Sequence, residues 1–254
     1  MKLRVFLKNN KYEFLALTVN VLVAGVVFRT IPQFVAFIIS LVIFISSTFF
    51  IIYFRTKDRN FYYYPFDAPG QDQDWVGTGD LNFVRNERCF QITNSFAGFI
   101  LPKTFNWDDY KYKLDFKITN ISLGFIVRAA NLSNYVMFQI FADNIKPHIR
   151  INGEFVELDL IKFDNNFKLD IWHKLTVFCE KRNIRIIIQD KNNSIDRTFT
   201  IPVVIDANVV EKIGDTEKIT KKIIQNIDFD FGAVGIRNFS VERALIKNIF
   251  VEKL

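Results

Sequence analysis

Two pairs of acidic residues stand two positions apart in segments where apolar and polar side chains alternate. Glu157 and Asp159 form one pair, and Asp228 and Asp230 form the other. Successive side chains of a strand point to opposite faces, so each pair would present both carboxylates on one face. That arrangement suits general acid and base chemistry, or calcium binding through carboxylate oxygens. A solvated strand face is nevertheless the favoured interpretation, and Asp228 and Asp230 are the only candidate metal ligands.

The other reactive residue types are few. His148 and His173 are too few for a histidine-rich metal centre. We predict that Trp172 packs in the core, whereas His173, which points the other way, lies at the surface. Cys89 and Cys179 lie in apolar alternating segments and predict two buried thiols, with a disulfide across a sandwich as the alternative. Without a phosphate-binding glycine loop or a nucleophile-elbow serine, enzyme activity is disfavoured.

From Trp75 onward the sequence has the pattern of an all-β protein. Short segments rich in β-branched and aromatic residues are separated by Asn, Asp and Gly turns, and Asn152-Gly153 predicts a type I′ hairpin turn. Strands are predicted at 88–93, 97–101, 110–118, 122–130, 134–141, 146–151, 154–160, 172–180, 183–190, 195–201, 232–238 and 244–252. So many strands at regular spacing indicate a sandwich or a barrel.

One polar segment, at about 206–226, interrupts this pattern. Asp215 or Thr216 is a candidate cap for a short helix that would begin at Glu217. We therefore predict an insertion between the last strands, with a helix in it.

The amino-terminal fifth has a different character, because Arg29 is the only charge in residues 14–54. Its apolar runs predict a hairpin of two transmembrane helices, at about 12–29 and 33–54, within a membrane anchor of residues 1–55. Residues 56–74 are predicted to be a linker to a soluble domain at 75–254.

Basic residues flank both ends of this hairpin. They are Lys2, Arg4, Lys8, Lys11, Arg55, Lys57 and Arg59. Such residues favour the cytoplasmic side, so the soluble domain is predicted to face the cytoplasm at a bacterial inner membrane. The formal net charge of +6 therefore has a topological explanation. No basic run is interleaved with stacking aromatics, which argues against nucleic-acid binding.

Three stretches carry a resemblance to a known superfamily. The run LGFIVRAANLSNYVMFQI at 123–140 is similar to a hairpin of concanavalin A-like (laminin G-like) jelly-roll domains of the lectin and glucanase superfamily. The runs at 171–177 and 183–188 resemble a second strand pair of these domains, and those at 232–237 and 244–251 resemble the closing pair. The resemblance covers about residues 75–254 and is nearest the bacterial three-keto-disaccharide hydrolase-like branch.

The resemblance implies a jelly-roll sandwich with a ligand at one concave face or at the connecting loops. Sugars stack on aromatic rings and accept fixed hydrogen bonds, which makes five residues the candidates for ligand binding. They are Trp107, Arg128, Asn131, Asn134 and Tyr135. Arg128 has a second interpretation, in which its guanidinium ties strand ends together.

Glucanases of this superfamily carry a Glu-x-Asp-x-Glu strand, in which one carboxylate attacks the sugar and another protonates the leaving oxygen. The nearest run here begins at Glu157 and Asp159, but Ile161 stands where the last acid should be. No catalytic residue is therefore predicted, and no cofactor is expected, with calcium left open.

The favoured hypothesis is a membrane-anchored, non-catalytic module that recognises a carbohydrate or a protein partner. One alternative is a cytoplasmic sensor or assembly domain that controls a membrane-active helical hairpin, which would also form homo-oligomers. A second alternative is a glycoside hydrolase-like enzyme that uses unrecognised carboxylates.

Overall fold

The computed structural model describes residues 35, 38, 41–48, 60–190, 193–213, 216–224 and 229–254. Residues 41–48 are helical, and the hydroxyls of Ser47 and Thr48 each donate a hydrogen bond of 2.8 Å to a carbonyl oxygen four residues earlier. Within the residues described, no helix combines the length and the apolar character that crossing a bilayer requires. The first predicted transmembrane helix and most of the second lie outside the described residues.

Residues 60–254 form a compact unit of antiparallel strands. The strands are β1 (Phe61–Tyr64), β2 (Val76–Gly77), β3 (Asp80–Val84), β4 (Cys89–Thr93), β5 (Phe99–Ile100), β6 (Tyr110–Asn120), β7 (Leu123–Asn131), β8 (Asn134–Ile140), β9 (Asn144–Ile151), β10 (Glu154–Glu157), β11 (Ile161–Lys162), β12 (His173–Glu180), β13 (Asn183–Gln189), β14 (Ser194–Thr200), β15 (Ile205–Ile213), β16 (Thr216–Ile224), β17 (Ala233–Arg237) and β18 (Arg243–Lys253). A short 3-10 helix, Pro102–Thr104, follows β5.

The strands form two large sheets and one separate pair. The first sheet has the order β14-β13-β12-β6-β18-β4-β3, and β1 also pairs with β18. The second sheet has the order β10-β9-β8-β7-β17-β5-β2, and β11 also pairs with β9. The molecule is thus an all-β sandwich of two sheets, as the sequence predicted.

The core lies between the two sheets and follows from strand alternation. In β6, Tyr110, Tyr112 and Leu114 are fully buried, while the lysines between them are half-buried on the opposite face. In the second sheet, Phe125 and Phe138 stack in this core with ring centroids 5.2 Å apart. The alternation therefore determines which face of each strand is buried.

The second sheet also buries its outer face. Ile126, Tyr135 and Met137 belong to a second apolar cluster, separate from the main core, and each is fully buried. This accounts for the nearly continuous burial of β7 and β8. The outer layer positions the candidate site described below.

Most of the predicted strands are present, but the helix predicted from Glu217 is wrong. Thr216–Ile224 is strand β16, which pairs along its whole length with β15 as a separate two-stranded sheet. Five of its nine residues are β-branched Thr or Ile, which disfavours a helix and favours a strand.

The predicted linker also contains structure. Strand β1 lies within 56–74 and pairs with β18, and Tyr62 stacks on Trp107 with centroids 5.6 Å apart. Because this pairing is part of the first sheet, the sandwich begins at Asn60 rather than at Trp75. The short strands β2, β3 and β11 were also missed.

The predicted positions of Trp172 and His173 are both wrong, because His173 is buried and Trp172 lies on the outer face. His173 is 1% exposed and shares the inward parity of Leu175 and Val177, and its Nε2 lies 2.7 Å from the Lys168 carbonyl oxygen. Trp172 is half-buried on the outer face, where the Lys247 ammonium lies 3.8 Å from its ring centroid. Strand parity, applied from Leu175 backwards, determines both positions.

Both cysteines are buried free thiols in the first sheet. Strands β4 and β12 are separated by β18 and β6, so about 14 Å separates the two positions at the usual strand spacing, too far for a disulfide. Burial raises the pKa of Cys89 to about 11 and that of Cys179 to about 12. The two cysteines are therefore core residues with little thiolate character.

Candidate functional site

The outer face of the second sheet is concave. Phe155 on β10 and Arg237 on β17 stand four strand positions apart, which is about 19 Å in a flat sheet. Their side chains nevertheless meet, because the Arg237 Cζ lies 4.8 Å from the Phe155 ring centroid. Only a sheet that curves toward this side brings them together. We call this surface the concave face.

Two arginines and several aromatic rings form a cluster on the concave face. This arginine–aromatic cluster consists of Phe96, Tyr135, Arg150, Phe155, Arg237 and Phe239. Strand alternation brings its members to one side, since Tyr135, Arg150 and Phe155 stand opposite one another in adjacent strands. Phe96 comes from the loop between β4 and β5 and Phe239 from the loop after β17, and the two remain 49% and 43% exposed.

Arg150 lies at the centre of this cluster. Its Cζ is 4.9 Å from the Phe155 centroid and 5.2 Å from the Phe96 centroid, which are cation–π distances. Its Nε donates to the Gly153 carbonyl oxygen at 3.1 Å, and its Nη1 donates to the Leu132 carbonyl oxygen at 2.8 Å. Both carbonyls belong to hairpin turns, so Arg150 also fixes the loops beside the concave face.

A shallow cleft of about 700 Å³ adjoins the cluster. Its lining residues come from β2, β5, the segment after the 3-10 helix and two hairpin turns; they are Val76, Ile100, Pro102, Phe105, Asn131, Leu132, Ser133, Asn134 and Asn152. The Asn131 Oδ1 accepts from the Ser133 N–H at 2.8 Å, and the Asn134 Oδ1 accepts from the Asn152 N–H at 3.0 Å. Two of the five predicted ligand residues, Asn131 and Asn134, therefore lie in one cleft.

The other three predicted ligand residues are enclosed. Trp107 is 3% exposed, and Arg128 and Tyr135 have no exposed surface. Tyr135 remains part of the cluster through Arg150, whose Nη1 lies 3.4 Å from the Tyr135 hydroxyl. None of the three presents an exposed surface to a ligand.

The contacts of Arg128 are those of a residue that ties strand ends together, the alternative to ligand binding in the sequence analysis. A β-bulge with φ of +55° turns its side chain between the sheets. There its Nη1 donates to the Asp230 carbonyl oxygen at 2.5 Å, and its Nη2 donates to the Lys181 carbonyl oxygen at 2.7 Å. The guanidinium also lies 5.2 Å from the Tyr110 ring centroid. Arg128 thus ties together chain segments from both sheets.

The pair of Glu157 and Asp159 does not form the predicted arrangement. Strand β10 ends at Glu157, so Asp159 is not held on the same strand face. Glu157 instead pairs with Lys146, and its Oε1 lies 3.7 Å from His148 Nε2. Burial is the main cause that lowers the pKa of His148 to about 4. The imidazole is consequently neutral at pH 7.

Glu157 and Asp159 also line a second cleft, of about 540 Å³, at the edge between β10 and β14. Of the other pair, Asp228 lies outside the described residues, and Asp230 stands in a bend before β17. Across the segments with described side chains, no group of three His, Cys, Asp or Glu residues is placed to hold a metal ion.

Sequence reasoning missed Phe96, Arg150, Phe155, Arg237 and Phe239. Arg150 and Phe155 flank the predicted Asn152-Gly153 turn, so strand parity from that turn would have placed both on one face. The convergence of Phe96 and Arg237 depends on sheet curvature, which has no short-range sequence signal.

No protein-family model and no curated protein sequence matches this chain. Among solved structures, the chain is similar to a Bacillus subtilis protein of unknown function with a galectin-like fold (12% identity over 78% of this chain and 97% of that one, TM-score 0.49). It is also similar to the carbohydrate-binding module CBM66 from Bacillus subtilis (13% identity, 70% and 95% of the two chains, TM-score 0.41). A third similarity is to the calcium-bound exoplasmic/lumenal domain of VIP36 (11% identity, 77% and 90%, TM-score 0.44).

Proposed function

We propose that residues 60–254 are a non-catalytic binding module that recognises a carbohydrate at the concave face and the adjoining cleft. One observation carries the proposal: the half-exposed rings of Phe96 and Phe239 stand beside the guanidiniums of Arg150 and Arg237 on one concave surface. Aromatic rings stack against the apolar faces of sugars, and fixed hydrogen-bonding groups orient their hydroxyls.

The cleft extends this surface with amide groups. The Asn131 and Asn134 side chains are held by backbone and side-chain hydrogen bonds, including one of 3.1 Å between the two amides. Positioned amides of this kind bind with less loss of side-chain entropy than free ones. Leu132 and Phe105 supply apolar surface in the same cleft.

The first test uses the full chain on a panel of immobilised neutral and acidic glycans. We expect binding to at least one glycan class, and we expect Phe239→Ala to weaken it about tenfold by removing an exposed stacking ring. Phe231→Ala is the matched control, because Phe231 is 51% exposed but lies at the opposite end of β17. Failure of every glycan to bind, or equal loss in both variants, would contradict the proposal.

We further propose that the two apolar runs, at about 12–29 and 33–54, anchor this module to a bacterial inner membrane and leave it on the cytoplasmic side. The support is the sequence: 15- and 22-residue uncharged runs at 14–28 and 33–54, with basic residues concentrated outside them.

Cysteine labelling of the full chain tests both the anchor and its orientation. Cys89 and Cys179 are buried, so a cysteine introduced at the exposed position Ser133 is the reactive site. Ser133→Cys should sediment with membranes after alkaline extraction. It should react with a membrane-impermeant maleimide only after the cells are lysed. Labelling in intact cells would refute the cytoplasmic orientation, and release by alkali would refute the anchor.

A further inference from the structure

The two arginines of the concave face lie close together and share one ring. The Cζ atoms of Arg150 and Arg237 are 4.9 Å and 4.8 Å from the Phe155 centroid, so they lie within about 10 Å of each other. Both side chains are strongly buried, at 6% and 7% exposure. The two positive charges of Arg150 and Arg237 are therefore close to each other and largely shielded from water.

Neither guanidinium has a carboxylate partner in the part of the chain that the structure describes. All acceptors of Arg150 are neutral: the carbonyl oxygens of Gly153 and Leu132 and the Tyr135 hydroxyl. Arg237 donates from Nε to the Phe96 carbonyl oxygen at 3.0 Å and from Nη1 to the Met137 sulfur at 3.7 Å. Buried charges in proteins are normally paired, so two buried guanidiniums without a direct ion pair are unusual.

Two acidic side chains near the arginines make their hydrogen bonds and close contacts with other groups. Glu157 pairs with Lys146, and Glu242 accepts from the Gln139 amide at 2.5 Å and from the Phe239 N–H at 2.7 Å. Burial is the main cause that lowers the pKa of Arg237; Tyr135 and the Glu242 carboxylate raise it, and the charge of Arg150 lowers it. Two guanidiniums thus stand against the single carboxylate of Glu242 at this place, which leaves a local excess of positive charge.

Both guanidiniums keep one nitrogen available. The Nη2 atoms of Arg150 and Arg237 donate no hydrogen bond to the described residues, yet neither is among the enclosed atoms without a partner. Each Nη2 therefore keeps some contact with solvent. Arg128 differs, because both of its Nη atoms donate to carbonyl oxygens and its Nε is enclosed.

We infer that the concave face selects a carbohydrate that carries a carboxylate, which would lie between Arg150 and Arg237 while the sugar ring rests against Phe96 and Phe239. This inference rests on the proposed function and specifies its ligand class. A carboxylate supplies a direct ion-pair partner and accepts charge-assisted hydrogen bonds from planar guanidiniums.

The test compares D-glucuronate with D-glucose, which differ only in having a carboxylate instead of a hydroxymethyl group on C5. Titration of the full chain, followed by saturation-transfer NMR at constant ionic strength, should give at least tenfold tighter binding of glucuronate. Sulfate is the third probe, and it should compete poorly because it has no ring to stack on the two phenylalanines. This comparison needs no variant protein.

Variants then assign the effect to the two arginines. Arg150→Gln with Arg237→Gln should reduce glucuronate affinity at least tenfold, to the level of glucose. Arg197→Gln is the matched control, since Arg197 lies on β14 and already pairs with Asp164 at 2.6 Å. If the double variant does not fold, the Lys substitutions at both positions keep the charge. They should give intermediate affinity, because lysine lacks the planar fork.

Four results would overturn the inference. The first is equal affinity for glucose and glucuronate, and the second is binding of a neutral glycan from the panel while glucuronate does not bind. Either result would refute the selection for a carboxylate and leave the proposed function intact. Competition by sulfate as strong as by glucuronate would reduce the site to a general anion site. Failure of every neutral and acidic glycan to bind would remove both the inference and the proposed function.

Discussion

Replacing Arg128 with alanine should lower the free energy of unfolding by about 3–5 kcal/mol, the sum expected for two buried acceptors that lose their donors and for the cavity that forms. The guanidinium is fully enclosed and supplies hydrogen bonds to the carbonyl oxygens of Asp230 and Lys181. Its loss leaves two carbonyls without these donors and a cavity beside Tyr110. Urea unfolding, followed by the fluorescence of the three tryptophans, measures the change.

Two further variants separate the causes of this loss. Arg128→Met keeps most of the side-chain volume but none of the donors, so it should recover only the part of the stability that depends on packing. Arg185→Ala removes an arginine whose pair with Asp196 is solvent-exposed, and it should leave the unfolding midpoint unchanged. A midpoint for Arg128→Ala equal to that of Arg185→Ala would refute the role of Arg128 as a tie between the sheets.

Arg128 also illustrates how far the sequence alone predicts this site. An arginine between an apolar strand and a turn is compatible with ligand binding and with tying strands together. The choice depends on the bulge that gives Arg128 a φ of +55° and turns it inward. That bulge is a property of the paired strands β7, β8 and β17, which contact one another only in the folded chain.

The predictions that succeeded depend on local patterns, such as the alternation of apolar and polar residues along a strand. The nine-residue alternation from Tyr110 predicted β6, and Asn152-Gly153 predicted a turn in which both residues have positive φ, at 51° and 88°. The short pairings β2–β5 and β11–β9 were missed because two-residue strands have no period of their own. The cluster around Arg150 was missed because its members meet through sheet curvature.

The sequence error at β16 has a different physical origin. From Glu217 onward, Ile219, Ile223 and Ile224 stand at helical spacing, and a candidate cap precedes them. Pairing with β15 along nine residues satisfies its backbone hydrogen bonds and favours the strand. The β-branched residues and the neighbouring strand together outweighed the helical spacing of the isoleucines.

Gly235, the single glycine of β17, should not tolerate the addition of a methyl group. A Cβ atom there would lie 2.4 Å from the Phe99 carbonyl oxygen and 3.1 Å from the Ile126 Cβ. Both neighbours belong to strands that pair with β17, so neither can move without breaking the sheet. We expect Gly235→Ala to lower the free energy of unfolding by about 3 kcal/mol, the upper part of the range for overpacking.

Gly153→Ala is the control that separates crowding from backbone strain. Gly153 has φ of +88°, but a Cβ atom there would meet only the Arg150 Nη2, at 3.9 Å. The expected loss in free energy of unfolding is about 1–2 kcal/mol, the cost of a left-handed conformation for a residue with a side chain.

The Gly235 variant should also weaken glycan binding at temperatures where it remains folded. The reason is that β5 follows the loop that contains Phe96, and Arg237 lies two residues after Gly235. Unfolding in urea and the glycan panel measure the two effects separately. A Gly235 variant no less stable than the Gly153 variant would mean that β5 can move away from β17 at little cost, and the curvature that brings Arg237 to Phe155 would then need another explanation.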